Sequence, residues 1–412
     1  MKRFVKLLFY TFFTLTFLTS FTEYMWLVRF ENELKHGRTG LPEKSASYKL
    51  AMDMDEYKEN MEKAVGVRKL FVMEKLIIFS IYFAIACAIL IDAIRVYIFH
   101  ISKKGINLYY KSFNNICKNQ VAMSNIFCFL FLMFYLYDYI DKFFFTKGMN
   151  IYIKVLIIIG LYCLICPLGL ILVYFLLQEF GARLIIAVYF AIFIKNIYEI
   201  FIEDDFDKTK LVKLDPHIFT ESVQDYLEKN HLENKVYQDT NKKKDTNAAL
   251  VGMDKSARIE IYGDFNELER GQRDSILLHE IGHSEDHSLV KKLIVYFSLI
   301  YLEMIIMLFM YTSVADNMKC EHISQETAFI LLSIVYFLSC REWMMFFYKL
   351  SSQRAEIAAD LLAKRQGYGK QLASTLFKIS VTESGFIRPS WLYNSLTAMH
   401  PSIYDRVEYL SK

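Results

Sequence analysis

Long apolar segments restrict what this 412-residue chain can fold into more than any other feature. A helix needs about 20 mostly apolar residues to cross the hydrocarbon core of a bilayer. Seven segments approach that length, and we predict that each forms one membrane span. They lie at approximately 4–28, 76–98, 121–140, 155–177, 184–202, 293–314 and 327–348. The sequence therefore predicts a mostly α-helical, polytopic membrane protein with about seven transmembrane helices.

Three of these segments carry further signals. The N-terminal run is similar to a signal peptide, but it continues to Met25 and Trp26 without a small-residue cleavage site, so we expect an uncleaved first span. Segment 184–202 contains Lys195 and Glu199, and Glu303 lies within segment 293–314. Charges inside a span usually face a cavity or a partner. These residues therefore either line a water-filled chamber or pair between helices, and the sequence leaves both roles open.

The composition supports a membrane protein and excludes some other classes. Hydrophobic residues make up 54% of the chain, with 35 Phe and 28 Tyr. Lys and Arg number 48 against 45 Asp and Glu, which gives a net charge of only +3, so we expect no nucleic-acid partner. The seven cysteines are an odd number and show no disulfide framework.

Two polar regions, 29–75 and 203–292, interrupt the apolar segments. We divide the chain into a five-span N-terminal region (1–202), a soluble part (203–292), spans six and seven (293–348) and a C-terminal part (349–412). Within the polar parts the patterns predict a strand at 257–265 and several helices, with Gly367 as a stop signal. The predicted helices lie at 220–230, 271–292 (continuing into the sixth span), 349–368 and 370–380.

The stretch "LLHEIGHSEDH" contains an HExxH motif formed by His279, Glu280 and His283. On a helix, positions i and i+4 share one face, so both imidazoles can reach one metal ion. Glu280 lies about 100° round the helix from His279, which suits a base that acts on water rather than a ligand. The motif therefore predicts a zinc site with Glu280 as general base.

Such a site needs a third protein ligand, and the sequence offers three candidates. His287 lies at i+8 from His279, about 12 Å along a straight helix, which is too far to share the ion. Glu303 lies mid-span, about six turns away. Glu356 is favoured because the chain leaves through span six and returns through span seven just before it. Asp360, at i+4 from Glu356, could then accept the N–H of a ligating histidine.

These residues resemble the motifs of the integral-membrane CAAX prenyl proteases, type 1. "LLHEIGH" looks like the HExxH of that family, and "SSQRAEIAADLLAKRQG" resembles its ligand segment. The resemblance implies His279, His283 and Glu356 as ligands of one Zn²⁺, with Asp360 behind them. It also implies a small α+β, gluzincin-like zinc protease domain and seven helices that enclose a chamber.

Two further segments carry the resemblance. "NAALVGMDKSARIEIYGDF" is similar to an edge strand to which the substrate backbone adds in the family, which implies Asn247, Ala248 and Ala249 as substrate-binding residues. "MHPSIYDRVEYL" resembles a His-Pro…Arg segment, which implies that His400 and Arg406 face the reacting carbonyl as catalytic residues.

The chain departs from the family pattern at several positions, none of which removes a ligand or the base. They are Ala249, Ser284, His287, Gln353 and Ser402. These departures affect substrate contacts and the surroundings of the site more than they affect activity.

The resemblance implies a membrane-embedded zinc endopeptidase that removes the C-terminal tripeptide of prenylated CAAX proteins, with a possible N-terminal site as well. It also implies the endoplasmic reticulum membrane as the location, and we expect a monomer in the bilayer. An alternative hypothesis is a quality-control metalloprotease that cuts misfolded or stalled membrane proteins. A third, a non-catalytic membrane scaffold, is disfavoured because Glu280, His400 and Arg406 are all intact.

Overall fold

The computed structural model describes most of the chain and is dominated by α-helices. The described residues are 2–109, 114–135, 151–201, 210–240, 247–253, 256–263, 265, 268–318 and 323–412. The α-helices are Lys2–Lys35, Ala46–Met52, Tyr57–Leu90, Asp92–Tyr109, Asn115–Tyr135, Ile151–Phe180, Ala182–Phe201, Glu221–Lys229, Arg270–Glu285, Ser288–Phe309, Gln325–Val335, Arg341–Met344, Phe346–Arg365, Gly369–Thr382, Trp391–Thr397 and Ile403–Leu410. The mostly helical fold predicted from the sequence is therefore confirmed.

The chain packs as two compact units. The first unit comprises residues 1–15, 78–195 and 299–344, and the second comprises 16–77, 196–298 and 345–412. The first unit has an apolar core built from long helices. Large apolar side chains of this unit also remain exposed, such as those of Leu172 and Phe190, which suits helices that face lipid.

Three helices among the described residues are long and apolar enough to cross a membrane. They are Tyr57–Leu90, Ser288–Ala315 and Gln325–Arg365. A fourth candidate is the pair Pro167–Phe180 and Ala182–Ile200, which is bent by 112° at its break. Two predicted spans, 121–140 and 184–202, extend into residues outside the described set. The count of seven spans and the chamber stay predictions.

The second unit contains a small four-stranded sheet. Its strands are β1 (Leu211–Lys213), β2 (Val236–Asp239), β3 (Asn247–Val251) and β4 (Arg258–Tyr262), in the order β1-β2-β4-β3. β3 pairs antiparallel with β4, with Ala249 opposite Glu260, and its other side has no partner strand in the described sheet. The predicted strand at 257–265 is thus confirmed as β4, and β3 is an edge strand.

The helices of the polar regions follow the predicted signals closely, with one exception. Helix Glu221–Lys229 begins after Thr220 and buries Val223 and Leu227 in the core of the second unit. Gly367, at φ +83°, separates helices Phe346–Arg365 and Gly369–Thr382, because a left-handed backbone ends a helix at little cost for glycine.

The exception is the continuous helix predicted at 271–292, which is wrong. The helix that carries the HExxH motif ends at Glu285, His287 adopts φ +50°, and a new helix begins at Ser288. The physical reason is Asp286, whose carboxylate accepts hydrogen bonds from Ser288 Oγ (3.0 Å) and Lys291 Nζ (2.6 Å). A carboxylate at a helix start stabilises that start, so the chain begins a second helix there.

Candidate metal centre

The HExxH helix, Arg270–Glu285, is held in one orientation by its apolar face. Its start carries a capping box between Glu269 and Gln272. Leu277, Leu278 and Ile281 are fully buried in the core of the second unit. Because these three side chains fix the rotation of the helix, the face that carries the two histidines turns toward a second helix, Phe346–Arg365, which we call the Glu356 helix.

A glycine lets these two helices approach at backbone distance. A Cβ placed on Gly282 would lie 2.7 Å from Ala359 Cα and 2.9 Å from the Ala359 carbonyl oxygen. Real Cβ atoms do not approach so closely, so any larger residue at this position would push the helices apart. Gly282 lies between the levels of the two ligating histidines and so keeps them close to Glu356.

The two imidazoles meet the Glu356 carboxylate with the spacing of a zinc site. His279 Nε2 lies 3.5 Å from Glu356 Oε2, and His283 Nε2 lies 3.4 Å from Glu356 Oε1. One ligand atom from each residue falls within 4.8 Å of the others. Tetrahedral zinc with bonds of 2.0–2.1 Å has ligand atoms about 3.3 Å apart. The three predicted metal ligands therefore come together at a suitable separation.

Asp360 determines how His279 presents its nitrogen atoms. His279 Nδ1 lies 3.0 Å from Asp360 Oδ1, so this nitrogen donates its proton to the carboxylate. With Nδ1 held by Asp360, Nε2 is the nitrogen directed toward Glu356, and it is the atom that would bind a metal ion in place of its proton. Burial lowers the pKa of His279, but hydrogen bonds to Asp360 and Glu356 outweigh it and raise that pKa to about 9. The site attracts positive charge, which fits a cation such as Zn²⁺.

Glu280 lies between the metal ligands and the sheet. It is buried, and its Oε2 accepts a hydrogen bond of 2.8 Å from the backbone N–H of Leu250 in β3. Burial raises the pKa of Glu280, whereas the nearby His279 and His283 lower it. A carboxyl group with a raised pKa is a better proton acceptor, which suits the predicted role of general base.

Arg406 closes the far side of the cluster. Its Nε and Nη2 donate to the two oxygens of Asp360 at 2.9 and 2.6 Å, and its Nη1 lies 3.3 Å from Glu356 Oε2. The guanidinium therefore holds the carboxylate that orients His279. His400 is different, since its side chain is 63% exposed and its Nδ1 lies 3.2 Å from Glu356 Oε1. That both residues face the reacting carbonyl stays a prediction.

One cavity of about 820 Å³ joins nearly all of the predicted site residues. It belongs to the second unit, and Asp360 is absent from its lining because Asp360 lies behind His279. The predicted residues that line it are Asn247, Ala248, Ala249, His279, Glu280, His283, Glu356, His400 and Arg406. The cavity thus offers an extended ligand a path along β3 to the cluster.

The free side of β3 is occupied by side chains of the protein itself. The N–H of Ala248 donates to Asn247 Oδ1 (2.9 Å), and the N–H of Leu250 donates to Glu280. All three residues lie in register with β4, with Ala248 opposite Ile261, Ala249 opposite Glu260 and Leu250 opposite Ile259, but only for Ala248 and Leu250 does the structure give an N–H bond to a side chain. Ala248 and Leu250 are therefore the positions whose backbone is directed away from the sheet, and a peptide strand would pair with them.

Three residues of this region were not predicted from the sequence, namely Leu250, Gly282 and Arg68. Leu250 could have been found from the two-residue period of a strand, because it follows Ala248 on the same side. Gly282 had a weak signal, a glycine inside a helix pattern, which often marks close packing. Arg68 lines the cavity from helix Tyr57–Leu90, outside the segments in which we placed the site, and no local motif marks it.

The fold and the cluster define a class of protein, an HExxH metal-site protein with helices of membrane-spanning length. Two histidines from one helix and a glutamate from a second face each other, with a buried glutamate beside them. This arrangement has the ligand set of the zinc peptidases, two His and one Glu.

Comparisons with known proteins agree with this class. Residues 220–412 match the family described as Peptidase family M48. Two relatives, each named "CAAX prenyl protease 1 homolog", from Mus musculus and Homo sapiens, are 34% identical over 89 residues. Those residues are 21% of this chain and 19% of each relative, so the match spans about a fifth of their length.

A solved structure shows the same fold over almost the whole chain. The "Crystal Structure of S. mikatae Ste24p" aligns with a TM-score of 0.54 and 18% identity, and the alignment covers 97% of this chain and 98% of that one. The sequence comparisons support the resemblance to the CAAX prenyl protease 1 family that the motifs indicate, and the structural comparison shows a shared fold.

Proposed function

We propose that the protein is a membrane-embedded zinc endopeptidase. The observation that carries the proposal is the convergence of His279, His283 and Glu356, with Glu280 buried beside them at the edge of β3. The match of residues 220–412 to Peptidase family M48 supports it. The helices of membrane-spanning length support a location in a bilayer.

His279, His283 and Glu356 would hold one Zn²⁺, and Asp360 and Arg406 would hold His279 and Glu356 in place. Zinc bound there would supply Lewis-acid polarisation of a peptide carbonyl and would lower the pKa of water to about 7. The surrounding charges fit this ion. Glu280, Glu356 and Asp360 contribute three negative charges, and Arg406 contributes one positive charge, all of them buried. Two negative charges remain, which one divalent cation neutralises.

Glu280 would act as the general base. Its carboxylate takes a proton from the attacking water and then delivers it to the nitrogen of the departing amine, so that one residue serves both halves of the hydrolysis. In the protein without substrate, the N–H of Leu250 holds one carboxylate oxygen of Glu280, and a peptide that pairs with Leu250 would release that oxygen. His400, which is largely exposed beside Glu356, is available to contact the substrate carbonyl.

We infer that the substrates are prenylated CAAX proteins, cut to release a C-terminal tripeptide, in the endoplasmic reticulum membrane. The relatives named CAAX prenyl protease 1 homolog support this substrate class. An extended peptide would add to β3 through the backbone of Ala248 and Leu250, next to Glu280. A prenyl chain partitions into lipid, which favours a protease held in the same bilayer.

The test compares two peptides of identical sequence, one farnesylated on the CAAX cysteine and one unmodified. The full-length protein in detergent should cleave the farnesylated peptide, release the tripeptide and lose this activity with a zinc chelator. Glu280→Gln is the inactive control. Cleavage of only unprenylated, unfolded chains would replace the proposal with the quality-control alternative. No zinc-dependent cleavage of either peptide or of unfolded chains would leave the scaffold hypothesis.

A further inference from the structure

A second pocket of the same unit lies apart from the metal cluster. Its volume is about 570 Å³, and none of the metal ligands lines it. Its walls come from the end of helix Lys2–Lys35, the following loop and the segment around Arg388. The proposed peptidase reaction gives this pocket no role.

Two arginines are arranged around one tryptophan in this pocket. The Arg388 guanidinium lies 5.1 Å from the ring centre of Trp26, and that of Arg29 lies 5.9 Å from it. Arg388 also stacks on Tyr404, at 4.7 Å, and its Nη1 donates to the carbonyl of Gly40 (3.1 Å). These contacts hold the Arg388 side chain in place and leave most of its five N–H groups without a bond to the described residues.

The charge of the pocket is positive where these arginines meet. Arg38 lines the pocket too, but it pairs with Glu33 at 2.6 Å, and so these two charges cancel. Arg29 and Arg388 have no carboxylate partner among the described residues, and the remaining acid of the lining, Glu43, is exposed. The pocket therefore has an excess of one positive charge, carried by groups that bind anions with two parallel hydrogen bonds.

The backbone and ring next to Arg388 are held in place by close contacts. Gly40 has φ +72°, and a Cβ there would lie 2.6 Å from the ring of Phe30. The Nε1 of Trp26 donates to the carbonyl of Arg388 at 2.7 Å, which ties the helix to the segment that carries the second arginine. A pocket whose walls are fixed in this way needs little reorganisation to bind a ligand.

The pocket also lies where the first apolar segment ends. Trp26 is within the predicted span 4–28, and Arg29 directly follows that span. Tryptophan and arginine in these positions are typical of the level of lipid headgroups. The position at the end of this span, the two arginines and the cavity together favour an anionic ligand. We propose that the pocket binds a phosphate-bearing group, which Arg29 and Arg388 hold against Trp26. The group is the headgroup of an anionic lipid or a free phosphate ester.

Two probes distinguish these sources, both with the full-length protein. In the first arm, glycerol 3-phosphate is titrated by calorimetry into protein in a neutral detergent. In the second, nanodiscs of phosphatidylcholine with or without phosphatidic acid supply the lipid, and native mass spectrometry counts the phosphatidic acid retained. Binding of glycerol 3-phosphate alone would identify a free phosphate ester as the ligand, and retention of phosphatidic acid alone would identify a lipid. Binding of both would identify a site for the phosphate group that they share.

Arg29→Gln is the test variant, because Arg29 is exposed and makes no hydrogen bond on which the fold depends. It should weaken binding of the retained probe about tenfold or more, as expected for loss of a charged hydrogen-bond donor. Arg365→Gln, the same change at an exposed arginine outside this pocket, is the matched control and should bind like the wild type. Failure of both probes to bind, or equal binding by the two variants, would overturn the proposal.

Discussion

Two buried glutamates, one in each unit, differ in the number and kind of their charged partners. Glu303 of the first unit lies on helix Ser288–Phe309, with its Oε1 3.3 Å from Arg341 Nε. Glu356 of the second unit is equally buried, but its carboxylate lies near the imidazoles of His279, His283 and His400. It also lies near the guanidinium of Arg406, which is bonded to Asp360 as well. One carboxylate has a single charged partner, and the other belongs to a convergent cluster.

The difference lies in the balance of charge. Glu303 and Arg341 neutralise each other, so this pair has no need of a ligand. The cluster around Glu356 keeps two negative charges when its histidines are neutral, because Arg406 is the arginine or lysine that the described residues pair with Glu356 and Asp360, and Glu280 adds a third carboxylate. A buried negative charge without compensation is costly. The comparison therefore distinguishes the acid of the proposed metal site from an acid that its own partner already neutralises.

The largest effect should come from Glu280→Gln. This variant removes the base and leaves the three metal ligands, so peptide cleavage should fall about 10²- to 10⁴-fold. Zinc content, measured by mass spectrometry of the purified protein, should stay at one ion per chain. Glu285→Gln is the matched control, since Glu285 ends the same helix and pairs with Lys229 at the surface. Normal turnover by Glu280→Gln would contradict the assignment of the base.

A direct test of the comparison replaces each of the two buried glutamates in a separate variant. Glu356→Ala removes a ligand, so the purified protein should lose most of its zinc, and its melting temperature should no longer respond to a chelator. Glu303→Gln should keep zinc and the response to the chelator, even where removal of a charge partner of Arg341 lowers stability. Full zinc occupancy in Glu356→Ala would point to another third ligand, such as His287.

The smallest effect should come from the helix contact behind the ligands. Gly282→Ala forces a methyl group against Ala359, so it should lower the free energy of unfolding by about 1–3 kcal/mol and weaken zinc binding. Gly271→Ala makes the same change in the first turn of the same helix, where the new Cβ would lie 3.5 Å from Gln371 Cγ, an ordinary contact. Equal stability of both variants in thermal unfolding would show that the helices can separate without loss.

The metal site could be predicted largely from the sequence, because its main signals are local. Two histidines four residues apart on a helix must share a face, and the period of a helix does not depend on the rest of the fold. Glu356 was harder to predict, since it needs the chain to return after two long helices. Helix geometry disfavoured His287 and Glu303, the return of the chain after span seven favoured Glu356, and the family motif agreed with that choice.

Other features could not be predicted because they arise from packing. The close contact of Gly282 with Ala359 depends on two helices that lie far apart in sequence. The break after Asp286 depends on a side chain that caps the following helix, whereas the apolar pattern alone favours one continuous helix. Arg68 reaches the cavity from a helix of the N-terminal half, and no local spacing connects it with the HExxH motif.

The hydrogen bond between Leu250 and Glu280 couples the binding of an extended ligand to the release of the proposed base. Leu250 has one N–H, and in the resting protein that N–H belongs to the base. A peptide that pairs with β3 must offer a carbonyl to Leu250 and thereby free a carboxylate oxygen of Glu280. A compact ester or amide that cannot pair with the strand leaves the base restrained. The proposed peptidase would thus hydrolyse small reactive esters and amides slowly and extended chains faster.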